Sequence, residues 1–270
     1  MDFSKVAVIL ARPAESRNIG SVCRAMANCD MSDLRIVGTK KSDIDEEAVK
    51  RLAIHASPIF ENAKFFDSIK DAASDCVFAA GTTRRTGLKR KGTLLLPEDL
   101  AKMAVNAASS QGENSRAAIV FGNEKSGLSS EEVEECDFAV TIPSSEGFGS
   151  LNLSHAVQVI CYEIFRAGLK SPENLENADS GQNSGRNFRE AISRGELKQT
   201  VEFILEDLAQ IGFFSHTGRE NMQKLWDEVL SRAALSKDEA LLIQKTFDRA
   251  AVMATHKALN HPDAFRAYKI

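Results

Sequence analysis

Ser150 and Asn152 stand in a stretch, Ile142-Pro-Ser-Ser-Glu-Gly-Phe-Gly-Ser-Leu-Asn-Leu-Ser-His155, suited to binding a small polar ligand. Their hydroxyl and amide groups can donate and accept hydrogen bonds. Gly147 and Gly149 let the backbone come close to a ligand. A β-rich apolar run, Phe138 to Ile142, precedes the loop. A helical spacing follows it, with Leu153, Ala156, Val157, Ile160, Ile164 and Phe165 near one face. Strand, polar loop and helix in that order bring free N–H groups together at a helix N-terminus. Gly147-x-Gly149-x-x-Asn152 misses the dinucleotide fingerprint G-x-G-x-x-G/A at its third small residue, and it comes late in the chain. On this stretch alone, a ligand loop and an ordinary βα loop stay open as alternatives.

A second group of chemically useful residues is Arg84-Arg-Thr-Gly-Leu-Lys-Arg-Lys91, with five basic residues and no acid. Such a run can meet phosphates, or it can be a solvated loop. It is not a P-loop, because Leu88 stands where the Lys should be.

The elements that would carry these loops alternate. Val6 to Leu10, Leu34 to Gly38, Cys76 to Ala80 and Ala117 to Gly122 read as strands, with Phe138 to Ile142 after them. Between them, Asn18 to Asn28, Glu46 to Ala53, Ile69 to Ser74 and Pro97 to Ser109 read as helices. Ser129-Ser-Glu-Glu132 reads as a capping box opening another. The pattern predicts an α/β domain with a mainly parallel sheet. The loops at Gly81, Gly122 and Pro143 would then leave its carboxyl edge, where open α/β sheets bind ligands.

A segment at 171–187, rich in Pro, Gly, Ser and Asn, reads as a linker. It divides a domain at 1–170 from a helical one at 188–270. In the second, three apolar stripes recur at helical spacing. The first is Leu197, Val201, Ile204, Leu205 and Leu208. The second is Met222, Leu225, Trp226, Val229 and Leu230. The third, opened by a Ser236-x-x-Glu239 cap, is Leu242, Phe247, Ala250 and Ala254. Trp226, inside a stripe, reads as core rather than as a stacking platform for a base.

A net charge of −4 does not mark a nucleic-acid binder, so any such binding would rest on local charge. The chain has 43% apolar residues and no apolar run long enough to span a bilayer. The five scattered cysteines form no C-x-x-C pair, so buried thiols are expected rather than disulfides or a zinc site. Met1 leads almost directly into a strand without a signal-peptide layout, and the expected location is the cytoplasm.

Three blocks in register carry a resemblance. They are Asn18-Ile-Gly-x-x-x-Arg24-Ala-Met, Ile119-Val-Phe-Gly-Asn-Glu124-x-x-Gly127-Leu and Ile142-Pro followed by Gly-Ser150-Leu-Asn152-Leu-Ser154. Over about residues 5–168 the chain resembles the SpoU/TrmH class of SPOUT RNA ribose 2′-O-methyltransferases, and most of all its TrmJ-type tRNA methyltransferases. The resemblance implies an α/β domain tied in a C-terminal trefoil knot. It implies S-adenosylmethionine held in the knot, and a homodimer with the active site shared between subunits. It implies tRNA as substrate, methylated at nucleotide 32 of the anticodon loop. An rRNA ribose methyltransferase, a non-catalytic RNA-binding protein of the same fold and a Rossmann-type nucleotide enzyme are the alternatives.

Carried onto this chain, the resemblance assigns the cofactor to Thr82, Thr83, Arg84, Gly122, Ile142, Gly149, Ser150 and Leu151. It makes Asn18, Arg24, Glu124, Ser150 and Asn152 the catalytic polar set. The basic run supplies Arg84, Arg85, Lys89, Arg90 and Lys91 as RNA contacts. Methyl transfer to a ribose hydroxyl needs an oriented hydroxyl, a route for its proton and a held phosphate. Arg24 suits the phosphate, because a guanidinium can grip two oxygens at once. Asn18, Ser150 and Asn152 suit orientation, although caps and turns also use such residues. No metal is expected. The residue that takes the hydroxyl proton is not fixed at this level.

Overall fold

The computed structural model describes residues 1–84, 94–109, 115–147, 149–169, 191–215 and 218–260, without the side chains of 256–260. The segment at 171–187 and the basic residues Arg85, Lys89, Arg90 and Lys91 lie outside that set. The chain divides into two compact units, Met1–Arg189 and Glu190–Ile270.

The first unit carries six parallel strands: β1 (Val6–Ala11), β2 (Asp33–Val37), β3 (Lys64–Phe66), β4 (Phe78–Thr82), β5 (Ala117–Phe121) and β6 (Phe138–Val140). Their order across the sheet is β3-β2-β1-β5-β4-β6. The helices between them are α1 (Ser16–Ala27), α2 (Glu46–Ala53), α3 (Ser57–Glu61), α4 (Ile69–Ala72), α5 (Pro97–Ala108) and α6 (Ser130–Glu134), and α7 (Leu153–Gly168) follows β6. Every residue of β1 and of β5 is buried, as expected of a parallel sheet covered on both faces. On one face Ala7, Ile9, Ala118 and Val120 pack with Ile69 and Ala72 of α4 and Val133 of α6. Val6, Val8 and Leu10 are buried on the other, and α1, α2, α5 and α7 pack among themselves.

From β1 the chain moves outward to β2 and β3, whereas β4 and β6 lie beyond β5. The carboxyl ends of β1 and β5 therefore bound the crevice where the strand order reverses, the usual ligand position in an open α/β sheet. At the amino ends a charge network built around a buried arginine closes the sheet. Arg35, 2% exposed, pairs with Asp33 and Asp75, and Arg116 reaches Asp33 at 2.9 Å.

Two elements fall outside the sequence reading. β3 is three residues long and α3 five, too short to display a period of their own. The capping box expected at Ser129 is present, with Ser129 N donating to Glu132 Oε2 at 2.7 Å and Glu132 N to Ser129 Oγ at 3.2 Å. All five cysteines are buried thiols outside any disulfide. No helix among the described residues is long and apolar enough to cross a membrane.

The second unit holds α8 (Arg194–Gln210), α9 (Arg219–Ala233) and α10 (Lys237–Asn260). Leu197, Val201, Ile204, Leu205 and Leu208 form its core with Leu230. Trp226 packs edge-on against Phe247, with ring centroids 5.5 Å apart, so it belongs to this core. The α10 stripe needs correction. Leu242 is 66% exposed and Ala250 is exposed as well, whereas Ala240, Ile243 and Ala251 turn inward. Leu225 and Val229 of α9 are also exposed rather than core. Each helix presents one face to the core, and its packing partners select which apolar residues lie on it.

Candidate active site

Three loops leave the carboxyl edge of β4, β5 and β6 and enclose a cavity of about 740 Å³, within the range of small-molecule sites. The β4 loop supplies Thr82, Thr83 and Arg84. Thr82 Oγ1 donates to Val120 O at 3.1 Å and Thr83 N to Val140 O at 2.9 Å, so this wall is tied to both of its neighbours.

The β5 loop, Gly122 to Leu128, folds back on itself. Asn123 and Gly127 form an antiparallel bridge, and Gly127 N donates to Asn123 O at 2.8 Å. Asn123 Oδ1 accepts from Lys125 N at 2.9 Å and from Ser126 N at 3.3 Å, an Asx turn. Gly127 has φ of 67°, which glycine adopts without strain. A Cβ on Gly122 would stand 2.2 Å from both Gly127 C and Leu128 N, so the turn closes only on a residue without one.

The β6 loop brings Ile142, Gly149, Ser150 and Leu151, and α7 adds Leu153 and Ala156. Ser144 Oγ donates to Gly149 O at 2.8 Å and closes this loop. Gly149 is buried, and a Cβ there would stand 2.9 Å from Ser145 O and 3.2 Å from Arg84 Cζ. Val140, Ile142 and Leu151 provide apolar walls, and threonine, serine and backbone groups the polar points. This donor set fits a nucleoside-like ligand.

At the rim a polar chain runs between elements far apart in sequence. Asn18 Nδ2 donates to Glu124 Oε1 at 3.0 Å, and Asn152 Nδ2 to Asn18 Oδ1 at 3.4 Å. Glu124 also accepts from Ala14 N at 2.8 Å and Glu15 N at 3.2 Å, ahead of the first turn of α1. Burial opposes its charge, but the bonds from Asn18 and the backbone N–H groups prevail and hold its carboxyl below the ordinary range. Glu124 is therefore an acceptor at neutral pH. Asn152 caps α7, its Oδ1 taking Ser154 N at 2.9 Å. Ser150 is exposed, and its hydroxyl has no partner among the described residues.

Every residue assigned to the cofactor lines this cavity, together with Glu124. Asn18 and Asn152 reach it through Glu124. Arg24 does not line it. Six residues beyond Asn18 on α1, it lies about 240° further round the helix. It is exposed, and its guanidinium has no partner among the described residues. Asn123, Ser126, Leu128 and Ala156 line the cavity without having been assigned to the site from the sequence. Asn is a common turn former, a mark that Asn123 carries; the others carry no comparable signal.

The sequence profile of the SpoU rRNA Methylase family matches residues 5–162. The chain is 36% identical over 222 residues to the tRNA (cytidine-2′-O-)-methyltransferase TrmJ of Methanocaldococcus jannaschii, across 78% of this chain and 93% of that protein. It is 31% identical over 242 residues to the tRNA (cytidine/uridine/adenosine-2′-O-)-methyltransferase TrmJ of Pseudomonas aeruginosa, across 90% of this chain and 92% of that one. The crystal structure of TrmJ from Z. mobilis ZM4 matches with a TM-score of 0.68 at 24% identity, covering 90% of this chain and 98% of that chain. At that identity the likeness is one of fold.

Proposed function

Since the chain belongs to the SpoU rRNA Methylase family, we propose that it methylates a ribose 2′-hydroxyl in tRNA, with S-adenosylmethionine as cofactor. The position proposed is nucleotide 32 of the anticodon loop. The observation that carries the reading is the convergence of the Thr82, Gly122 and Gly149 loops on one cavity, with the Asn152–Asn18–Glu124 chain at its rim.

S-adenosylmethionine would supply an electrophilic methyl group, held by Thr82, Thr83, Arg84, Gly122, Ile142, Gly149, Ser150 and Leu151. The chain's own task is to bring the ribose to it. The Ser150 hydroxyl, at the mouth, orients the 2′-hydroxyl. Asn152 and Asn18, fixed by Glu124, keep the α7 cap and the start of α1 in register with the cavity. Arg24 holds the adjoining phosphate with two donors. Because Arg24 does not line the cavity of its own chain, it serves the cavity of a second copy in a homodimer. The exposed apolar residues Val159 and Tyr162 of α7, which packs against α1, and Leu169 at its C-cap supply a face for that copy. In this reading the β6–α7 segment forms the trefoil knot, and the enzyme works in the cytoplasm. The basic run at 84–91 adds phosphate contacts.

The test is methyl transfer from labelled S-adenosylmethionine to bulk tRNA and rRNA offered separately. Label is expected in tRNA, on a ribose that blocks alkaline cleavage after nucleotide 32. Label in rRNA alone, or on a base, would replace this reading.

A further inference from the structure

We propose that Arg12 is a positioning residue that holds the Asn123–Leu128 loop in its ligand-ready shape, and so sets affinity for the adenosyl cofactor without touching it. The inference rests on the reading of the cavity as an S-adenosylmethionine site.

Arg12 follows β1 and does not line the cavity. Its backbone and side chain nevertheless hold both ends of the β5 loop. At one end, Asn123 Nδ2 donates to Arg12 O at 2.8 Å, and the same Asn123 builds the loop's turn through Oδ1. At the other end, Arg12 Nε donates to Glu132 Oε1 and Nη2 to Glu132 Oε2, each at 2.6 Å. This is the two-pronged pairing that only a guanidinium makes. Glu132 simultaneously closes the capping box on Ser129 N, directly after Leu128. Arg12 Nη2 also faces Gly127 O at 3.5 Å.

The backbone at Arg12 is strained. Its φ is 52°, in the left-handed region that residues with a Cβ avoid. The turn is held by Arg12 N donating to Val37 O at 2.8 Å. Beside it, a Cβ on Gly38 would stand 3.0 Å from Arg12 Cγ, so that glycine leaves room for the side-chain stem. Strain of this kind persists only where surrounding contacts over-determine the conformation. Here those contacts converge on the loop that forms one wall of the cavity. A loop already ordered loses less freedom when the ligand arrives, and this shows as affinity rather than rate.

The test measures binding of S-adenosylhomocysteine by titration calorimetry, together with kcat and KM for S-adenosylmethionine on the full chain. Arg12→Ala should raise both Kd and KM about tenfold while kcat stays within about threefold, since bound cofactor restores the loop. Arg12→Lys should rescue little, because an ammonium cannot span both Glu132 oxygens. Glu132→Gln keeps a capping-box acceptor and removes the charged partner. It should shift Kd in the same direction, which guards against Arg12→Ala acting only through poor folding. Unchanged Kd in both variants, or a lowered Tm with normal Kd, would overturn the proposal. Failure of the wild-type chain to bind S-adenosylhomocysteine would instead remove the cofactor reading, and this inference with it.

Discussion

The Asn18 amide donates to Glu124 Oε1 at 3.0 Å across 106 positions of sequence. That bond joins the start of α1 to the loop after β5, on the two sides of the crevice where the strand order reverses. It also makes Asn18 the middle of a chain, since its Oδ1 accepts from Asn152 at the start of α7.

Removing either partner should therefore loosen the same junction. Glu124→Ala leaves Ala14 N, Glu15 N and Asn18 Nδ2 without their acceptor and should cost about 1–2 kcal/mol, since water can replace part of what is lost. Asn18→Ala should cost less. Denaturant titration of both single variants and the double variant should give a coupling of about 0.5 kcal/mol or more. Simple additivity would mean that the bond contributes nothing to the fold.

Acid should weaken this junction and the Arg12–Glu132 pair together. Glu124 and Glu132 are both held below the ordinary value of 4.5; burial opposes this, but their hydrogen-bond donors outweigh it. A carboxyl depressed in the folded state contributes stability that is fully present above the unfolded value. That stability is lost as pH falls through the folded value. The Tm difference between wild type and Glu124→Gln should thus be largest near neutrality and shrink below about pH 4.5. A difference independent of pH would show that the charge of Glu124 is not what the junction uses.

Arg24→Ala should remove most methyl transfer and leave cofactor affinity within about twofold, because the proposed partner is an RNA phosphate. Arg24→Lys should recover little. Single-turnover methylation and cofactor titration separate the two quantities. If Arg24 serves the other subunit's site, mixing Arg24→Ala chains with chains defective in the cavity should restore one complete site in each mixed dimer, up to about half the activity of a wild-type dimer. No recovery in proven mixed dimers would place Arg24 in its own chain's site.

Gly122→Ala should distort the β5 loop, because the new methyl would stand 2.2 Å from backbone atoms of Gly127 and Leu128. A rearrangement of this kind costs about 1–3 kcal/mol. Titration calorimetry should show cofactor affinity lost beyond what the lower Tm explains. Wild-type affinity would mean that the turn has room the geometry does not suggest.

Neutralising Lys89, Arg90 and Lys91 should weaken tRNA binding and flatten its salt dependence. Three lost phosphate contacts should reduce the log–log slope by about 2 to 3. Filter binding across a salt series, alongside a cofactor titration that should not change, reads this directly. An unchanged slope would leave the basic run a solvated loop.

Much of this protein is legible in its sequence because the signals are local. Continuous apolar runs mark β1 and β5, helical spacing marks α7 and α8, and Ser129 with Glu132 announces α6. The Thr82, Gly122 and Gly149 loops are readable as a group because parallel strands deliver their carboxyl ends to one edge. What the tertiary structure alone decided is non-local. β3 exists because an edge of β2 accepts it, not because three residues declare it. Ile243 and Ala251 of α10 face the core in place of Leu242 and Ala250 because α8 and α9 choose the face. Arg12 finds Glu132 across 120 positions, and no spacing rule connects them. A hydrogen bond or a packed face depends on distance in space, and only the folded sheet brings β1 beside β5.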